Sequence, residues 1–369
     1  MDRDMGNLDT ANSLERYDVS GMLKLIESFP EQAREAAGIG SEFRLPDRYK
    51  REYANIVCAG LGGSAIGADI LRSYAAGEAR TPISVSRNYT LPNFVGKASL
   101  VIVSSYSGNT EETISAYKDA KARGAGIIAI TSGGKIREMA KADGKACLLI
   151  PPGLPPRCAL GYSFFPLLAL MSKMGVVTDK SAEVEETIKV LEGLNSRSIG
   201  AAVVEKGNIA KRTASGLYGK YGIIYGAQDH IDCVVTRWRG QIEENAKALA
   251  SSHVFPEMNH NEIVGWENPK GLIKNFVAVI LRDKADDPRI ARRMDISKVI
   301  IGKKAREVIE VGSTGEGLLA RIFSLVYIGD FVSYYLAILN KTDPTPVNSI
   351  TYLKNELAKG PRTFSENSL

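Results

Sequence analysis

Residues 55–77 read NIVCAGLGGSAIGADILRSYAAG: a short apolar run, a glycine-rich turn, then helical spacing. The strand falls at 56–60, the turn at 60–67 (GLGGSAIG), and ADILRSYAAG follows as a helix. The same alternation continues outward. Apolar runs TPISV (81–85), SLVIVSSY (99–106), AGIIAIT (125–131) and ACLLIP (146–151) are separated by helix-length stretches. Strands joined by crossover helices mean βαβ units and a doubly wound parallel sheet. PLLALMSKMG (166–175) extends the helical cover, and VTDKSAEVEETIKVLEGLNSRSIG (177–200) reads as an amphipathic helix leading out.

A second pass of this pattern starts near 220. YGIIYGA (221–227), CVVTRW (233–238), KNFVAVILRD (274–283) and REVIEVG (306–312) are expected strands. LLARIFSLVYIGDFVSYYLAIL (318–339) is expected as a long buried helix, its interspersed charges arguing against a membrane span. The reading divides the 369 residues into a helical lead-in (1–50), two α/β domains (51–195 and 196–340) and a C-terminal helix or tail (341–369). The two halves resemble a degenerate duplication. The loop SSYSGNTEET of the first half has no hydroxyl-rich counterpart in KADDPRIARR of the second, so one anion site per chain is expected, in the first domain.

Composition bounds the function. With 44% hydrophobic and 24% charged residues the chain is ordinary globular protein, neither disordered nor fibrous. A net charge of +5 is spread without a basic run, which suits a small anionic metabolite as well as anything larger. Cys58, Cys147, Cys158 and Cys233 form no C-x-x-C pair, so neither a disulfide framework nor a zinc ribbon is expected, and a reducing, cytoplasmic setting is. The first twenty residues carry no apolar core of a signal peptide, and no run reaches 18 apolar residues. Three histidines, His230, His253 and His260, make a multi-histidine metal site improbable.

In GLGGSAIG, glycines let the backbone approach a ligand, and Gly63 and Ser64 lie where helix-start N–H groups favour an anion. A tight strand–helix turn accounts for the same residues. The glycines are out of register with G-x-G-x-x-G and no acidic residue ends the next strand, which disfavours a dinucleotide. SSYSGNTEET (104–113) is sharper: Ser105, Ser107 and Thr110 offer hydroxyls around Gly108 just before a helix. Asn109-x-x-Glu112 resembles a capping box, but a cap needs one such group, whereas three hydroxyls with helix N–H groups suit a phosphate dianion.

Three later motifs add candidates. Prolines in PPGLPPRCALGYSF (151–164) stiffen a loop presenting Arg157, which suits a phosphate or a developing oxyanion, or else a surface ion pair. In QIEENAKALASSHVFPEMNHNE (241–262), Glu243 and Lys247 form an i,i+4 pair on a solvated helix face, leaving Glu244 on the less charged side as the candidate general base. ENAKALASS is expected to continue that helix, carrying the chain about 14 Å from Glu244 before His260, which leaves open whether His260 returns to the same pocket. DPTPVNSITYLKNEL (343–357) is an amphipathic helix with Ile350 and Leu353 at i,i+3 and Lys354 beside them.

A G-G-S turn followed about 40 residues later by S-x-S-G-N-T-x-E-T is similar to the sugar isomerase (SIS) domain superfamily. With the three later motifs the chain resembles, across both domains and the tail, the bifunctional phosphoglucose/phosphomannose isomerases. The resemblance implies an aldose–ketose isomerase that interconverts glucose 6-phosphate and mannose 6-phosphate with fructose 6-phosphate through a cis-enediolate, using no metal and no cofactor. It implies that Gly63, Ser64, Ser105, Ser107 and Thr110 hold the phosphate and that Glu244 moves the proton between C1 and C2. Arg157 steadies the enediolate, while His260 and Lys354 assist ring opening. It further implies a homodimer with His260 donated across the interface, and no nucleic-acid or membrane partner. A small hydroxyl residue near Thr345 or Val347 is associated in relatives with tolerance of mannose 6-phosphate. Competing readings are another SIS isomerase (glucose-only, or acting on amino or heptose phosphates) and a non-catalytic phosphosugar sensor, against which the absence of a basic recognition helix in 1–50 argues.

Overall fold

Burial on both faces makes the central strands near-continuous apolar runs, as parallel pairing beneath helices requires. The structure, a computed structural model, describes residues 8–359. The ends of the expected lead-in and of the expected tail therefore lie outside the described residues. The first sheet contains β1 (Asn55–Ala59), β2 (Ile83–Ser86), β3 (Ser99–Ser104), β4 (Gly126–Thr131) and β5 (Ala146–Leu149). Its order is β2-β1-β3-β4-β5, all neighbours parallel, with Val57 opposite Val101. The second holds β6 (Tyr221–Ala227), β7 (Ala250–Phe255), β8 (Phe276–Arg282) and β9 (Glu307–Gly312) in the order β7-β6-β8-β9, again parallel. The second order repeats the first without its last strand, so the duplication read in the sequence is present in the topology.

Before β1 come α1 (Ala11–Tyr17), α2 (Met22–Glu27) and α3 (Phe29–Glu42). Pro30 occupies the first turn of α3, where its missing N–H costs nothing. In the first half, α4 (Gly63–Ala75) follows β1, α5 (Glu111–Ala122) follows β3 and α6 (Gly134–Ala142) follows β4. Next come α7 (Leu160–Lys173), which packs on α3 and α4, and α8 (Ser181–Leu194). The second half holds α9 (Ile209–Leu217), α10 (Asp232–Ala246), the short α11 (Glu262–Gly265) and α12 (Lys270–Ile273), α13 (Pro288–Gly302) and α14 (Leu318–Leu339). α15 (Asn348–Ala358) comes last. The 22 residues of α14 are apolar and long enough to cross a membrane, but they are buried against α8, α9 and α10.

Two expectations fail within one stretch. CVVTRW is not a strand but the first half of α10, because Ile231, Val234, Val235, Trp238 and Ile242 recur at helical spacing and bury together against α14. The helix then stops at Ala246, with Lys247 left-handed at φ 54°. ALASS does not prolong it; residues 250–255 pair instead with β6 as edge strand β7. A short apolar run reads as either element, and periodicity over a longer window decides it.

α10 and α14 are joined by a buried ion pair. Arg237 Nη2 lies 2.7 Å from Asp330 Oδ2, and its Nε donates to Asp330 Oδ1 at 3.1 Å. Gln241 donates to the same carboxylate at 2.9 Å, and Arg237 also donates to the carbonyl of Arg157. Removing one partner leaves the other charged, buried and unanswered. Asp330→Ala should therefore lower the unfolding free energy by about 3–5 kcal/mol in urea denaturation. Glu192→Ala, which removes an exposed bridge to Arg34, should cost at most about 1 kcal/mol. Similar losses from the two variants would contradict this ranking.

Candidate active site

α4 begins at Gly63, earlier than the sequence reading had it, so Gly63 and Ser64 lie in its first turn. Ser64 Oγ accepts the Tyr106 N–H at 3.2 Å, which ties the glycine turn to the loop after β3. In that loop Ser105 Oγ donates to Thr110 Oγ1 at 3.0 Å, and Asn109 N–H donates to Ser107 Oγ at 3.3 Å. Ser64 and Ser105 are buried, Thr110 is half-buried and Ser107 is exposed. Gly108 has φ +68°, and a Cβ there would stand 1.8 Å from the Gly133 carbonyl oxygen, so no other residue fits the bend.

The capping box does not form. Asn109 Oδ1 accepts from the Lys135 N–H instead, and the N-cap of α5 is Thr110, whose side chain makes no capping bond. The first-turn N–H groups of α5 thus have no side-chain cap, and the serine and threonine hydroxyls stand around them. That is the donor set a phosphate dianion uses.

Arg157 is reached from the same turn. A Cβ on Gly63 would lie 2.3 Å from the Pro156 carbonyl oxygen, so glycine is what allows α4 to abut the turn Pro156–Cys158. Tyr106 joins this contact by accepting the Leu154 N–H at 3.0 Å. Arg157 is not the surface residue that one reading of its loop allowed; it is 5% exposed. Its Nε donates to Asn245 Oδ1 at 2.6 Å, and its Nη2 donates to the carbonyls of Pro344 (2.9 Å) and Thr345 (2.7 Å). Nη1 faces Glu244 Oε2 at 3.5 Å.

The choice between Glu243 and Glu244 rests on that contact and not on the helix face. Their side chains are similarly exposed, at 38% and 35%. Glu243 stands 4.0 Å from Arg239, and burial pushes its carboxyl above the usual range. Its expected i,i+4 partner is lost because the helix has ended: Lys247 Nζ turns to the carbonyls of Glu244 and Pro344. Glu243, Glu244 and Lys247 all line an open cavity of about 800 Å³, together with Asp343, Val347 and Asn348, so access to the cavity does not separate the two carboxylates.

Two further candidates stand apart. His260 is exposed, at the end of the turn Glu257–His260 that follows β7. The far end of β7 is fixed beside the start of α10, where the Gln228 N–H donates to the Phe255 carbonyl. Glu244 lies at the other end of α10, twelve residues and roughly 18 Å along the axis. Within one chain His260 and Glu244 therefore sit at opposite ends of the second sheet. Lys354 is exposed on α15, whose first turn borders the cavity through Asn348 and Ile350. His253 accepts its neighbour's N–H through Nδ1, and His230 contacts the Ser73 carbonyl, so both take local roles. Sequence reasoning missed Tyr106, Asn245 and Lys247. Only Asn245 left a signal: an amide next to the candidate carboxylate in the sequence.

Comparison with known proteins places this arrangement. Residues 52–151 match the SIS domain, and residues 206–357 match the bacterial phospho-glucose isomerase C-terminal SIS domain. The bifunctional phosphoglucose/phosphomannose isomerase of Caldicellulosiruptor bescii is 48% identical over 92% of this chain and 99% of its own. That of Aquifex aeolicus is 38% identical, over 87% of this chain and 97% of its own. In fold, the chain is similar to the C-terminal domain of glucosamine-fructose-6-phosphate aminotransferase from Francisella tularensis, with TM-score 0.68 and 15% identity over 88% of this chain and 98% of that one. A hydroxyl-bearing loop and a buried arginine in contact with a carboxylate thus stand on a pair of SIS domains, and the chain belongs to the bifunctional phosphoglucose/phosphomannose isomerase family.

Proposed function

We propose that this chain interconverts glucose 6-phosphate and mannose 6-phosphate with fructose 6-phosphate by proton transfer through a cis-enediolate. The observation that carries this reading is the contact of Glu244 with Arg157 beside the Gly63 turn. A carboxylate can take the proton on the carbon next to the carbonyl, and a guanidinium desolvated beside it can balance the negative charge that develops on oxygen. Ser64, Ser105, Ser107 and Thr110 hold the phosphate, with the start of α5 contributing its N–H groups. His260 and Lys354 open the sugar ring.

Family membership supports both hexose phosphates as substrates, and the Thr345 carbonyl is held by Arg157, which keeps the segment carrying Thr345 and Val347 beside the guanidinium. The wide separation of His260 from Glu244 along α10 supports a homodimer in which each site takes Glu244 from one chain and His260 from the other. The free thiols, Cys58 and Cys233 fully buried, suit a reducing cytoplasm, where the reaction joins glycolysis and gluconeogenesis.

Glu244→Gln keeps the shape but cannot accept a proton, so kcat on fructose 6-phosphate in EDTA should fall about 10²–10⁴-fold with sugar-phosphate binding preserved. Glu243→Gln should do little; equal losses in both would move the base elsewhere. Ser105→Ala and Thr110→Ala should raise KM about 10- to 100-fold with kcat nearly kept, since bonds to the phosphate act in ground and transition states alike. A loss confined to kcat would remove these hydroxyls from the phosphate site. Refolding a mixture of Glu244→Gln and His260→Ala chains, each inactive alone, should restore roughly a quarter of wild-type activity, because a mixed dimer has one intact site. Mixed dimers confirmed by mass spectrometry but inactive would end the shared-site reading.

A further inference from the structure

Three backbone carbonyls converge on Lys247. Its Nζ donates to the carbonyls of Glu244 at 2.6 Å, Pro344 at 2.8 Å and Asn245 at 3.4 Å. The first and last belong to the C-terminus of α10, where orphan carbonyls and the helix dipole favour a cation. The second belongs to the segment 340–347, which connects α14 to α15 and so carries Lys354. The Pro344 oxygen also accepts from Arg157 Nη2, so two cations from different elements grip one carbonyl. Asn340 Nδ2 donates to the Ala246 carbonyl at 2.9 Å and ties the same segment to the same helix end.

We infer that Lys247 is a positioning residue: its ammonium staples the Glu244 end of α10 to the segment leading to Lys354, and so sets the spacing between proton transfer and ring opening. The inference rests on the roles proposed above for Glu244 and Lys354. The left-handed backbone at Lys247 (φ 54°) is what turns the side chain back over the helix end toward Pro344, instead of along the helix toward Glu243. A helix cap alone has no need of the Pro344 contact, and that contact makes the staple specific to the site.

The ammonium is also held where it can be lost. Burial, with Arg157 nearby, lowers Lys247 to about 8, and the opposing influence of Asp343 and Glu244 is smaller. The charged groups facing it are Glu243 and Glu244 from α10, Arg157 from the Pro156–Cys158 turn and Asp343 from the connecting segment; the first turn of α15 contributes only Asn348, Ser349 and Ile350 to the shared cavity. A neutral amine has lost a proton and a charge, so its hold on three carbonyls weakens as pH rises through this value.

The test is the pH profile of fructose 6-phosphate isomerisation between pH 6 and 10 for the wild type, Lys247→Arg and Lys247→Met, with Glu244→Gln in the same assay. The wild type should show a basic limb in kcat/KM near pH 8. Lys247→Arg should keep turnover within about threefold at pH 7 and lose that limb, because a guanidinium stays charged. Lys247→Met should lower kcat at least tenfold at pH 7 while KM moves less than twofold. A limb near pH 8 that persists in Lys247→Arg, or is missing from the wild type, would overturn the inference, as would a Lys247→Met defect carried in KM. Should Lys247→Met not fold, the wild-type and Lys247→Arg profiles decide by themselves. Turnover retained by Glu244→Gln would instead displace the site assignment on which the inference rests.

Discussion

A guanidinium taken out of water must have its N–H groups answered by the protein, and Arg157 imposes that demand on everything around it. Asn245 answers Nε from the end of α10, and Pro344 and Thr345 answer Nη2 from the segment after α14. Its own carbonyl is held by Arg237, whose charge is balanced by Asp330 in the middle of α14. These partners come from α10, α14 and the segment after α14, so satisfying one side chain fixes a turn, two helices and a connecting segment relative to one another. Breaking a buried pair in this network costs more than any exposed bridge returns.

The duplicated sheets divide the work. The first supplies the loop that offers hydroxyls and helix-start N–H groups; the second supplies α10, which ends in the carboxylate. α14 is a buried helix whose side chains join one apolar core with residues of both halves, while the outer face of each sheet has a core of its own. The approach of α4 to the Arg157 turn requires a residue without a side chain at Gly63, and this contact brings the glycine turn to the arginine. In the proposed reading, phosphate at one end and the reacting carbons at the other would be spanned by this unit, the arrangement that positioning catalysis needs.

How much of this the sequence disclosed depended on the range of the interaction. Parallel strands, the long buried helix and the hydroxyl loop are written in local patterns, and Ser105, Ser107 and Thr110 were legible because glycine and helix-start chemistry lie within ten residues. CVVTRW was misread because a short apolar run fits either period, and only the partner helix α14 fixes which face is buried. Burial of Arg157 was not legible at all: its acceptors lie 88, 187 and 188 residues away. Lys247 was read as a solvated helix pair because its left-handed backbone, which ends the helix, leaves no mark in a lysine. The helix-face argument for Glu244 over Glu243 does not hold. Its exposure matches that of Glu243, and the contact with Arg157 is what separates them.

The central claim is that one buried guanidinium both holds the site together and balances charge at the reacting end. The most direct measurement is the turnover of Arg157→Lys on fructose 6-phosphate at pH 7, with folding monitored by near-ultraviolet circular dichroism. Lysine keeps the charge but cannot reach Asn245, Pro344, Thr345 and Glu244 together, so kcat should fall about 10²–10³-fold in a folded protein. A folded Arg157→Lys enzyme with near wild-type kcat would contradict the account.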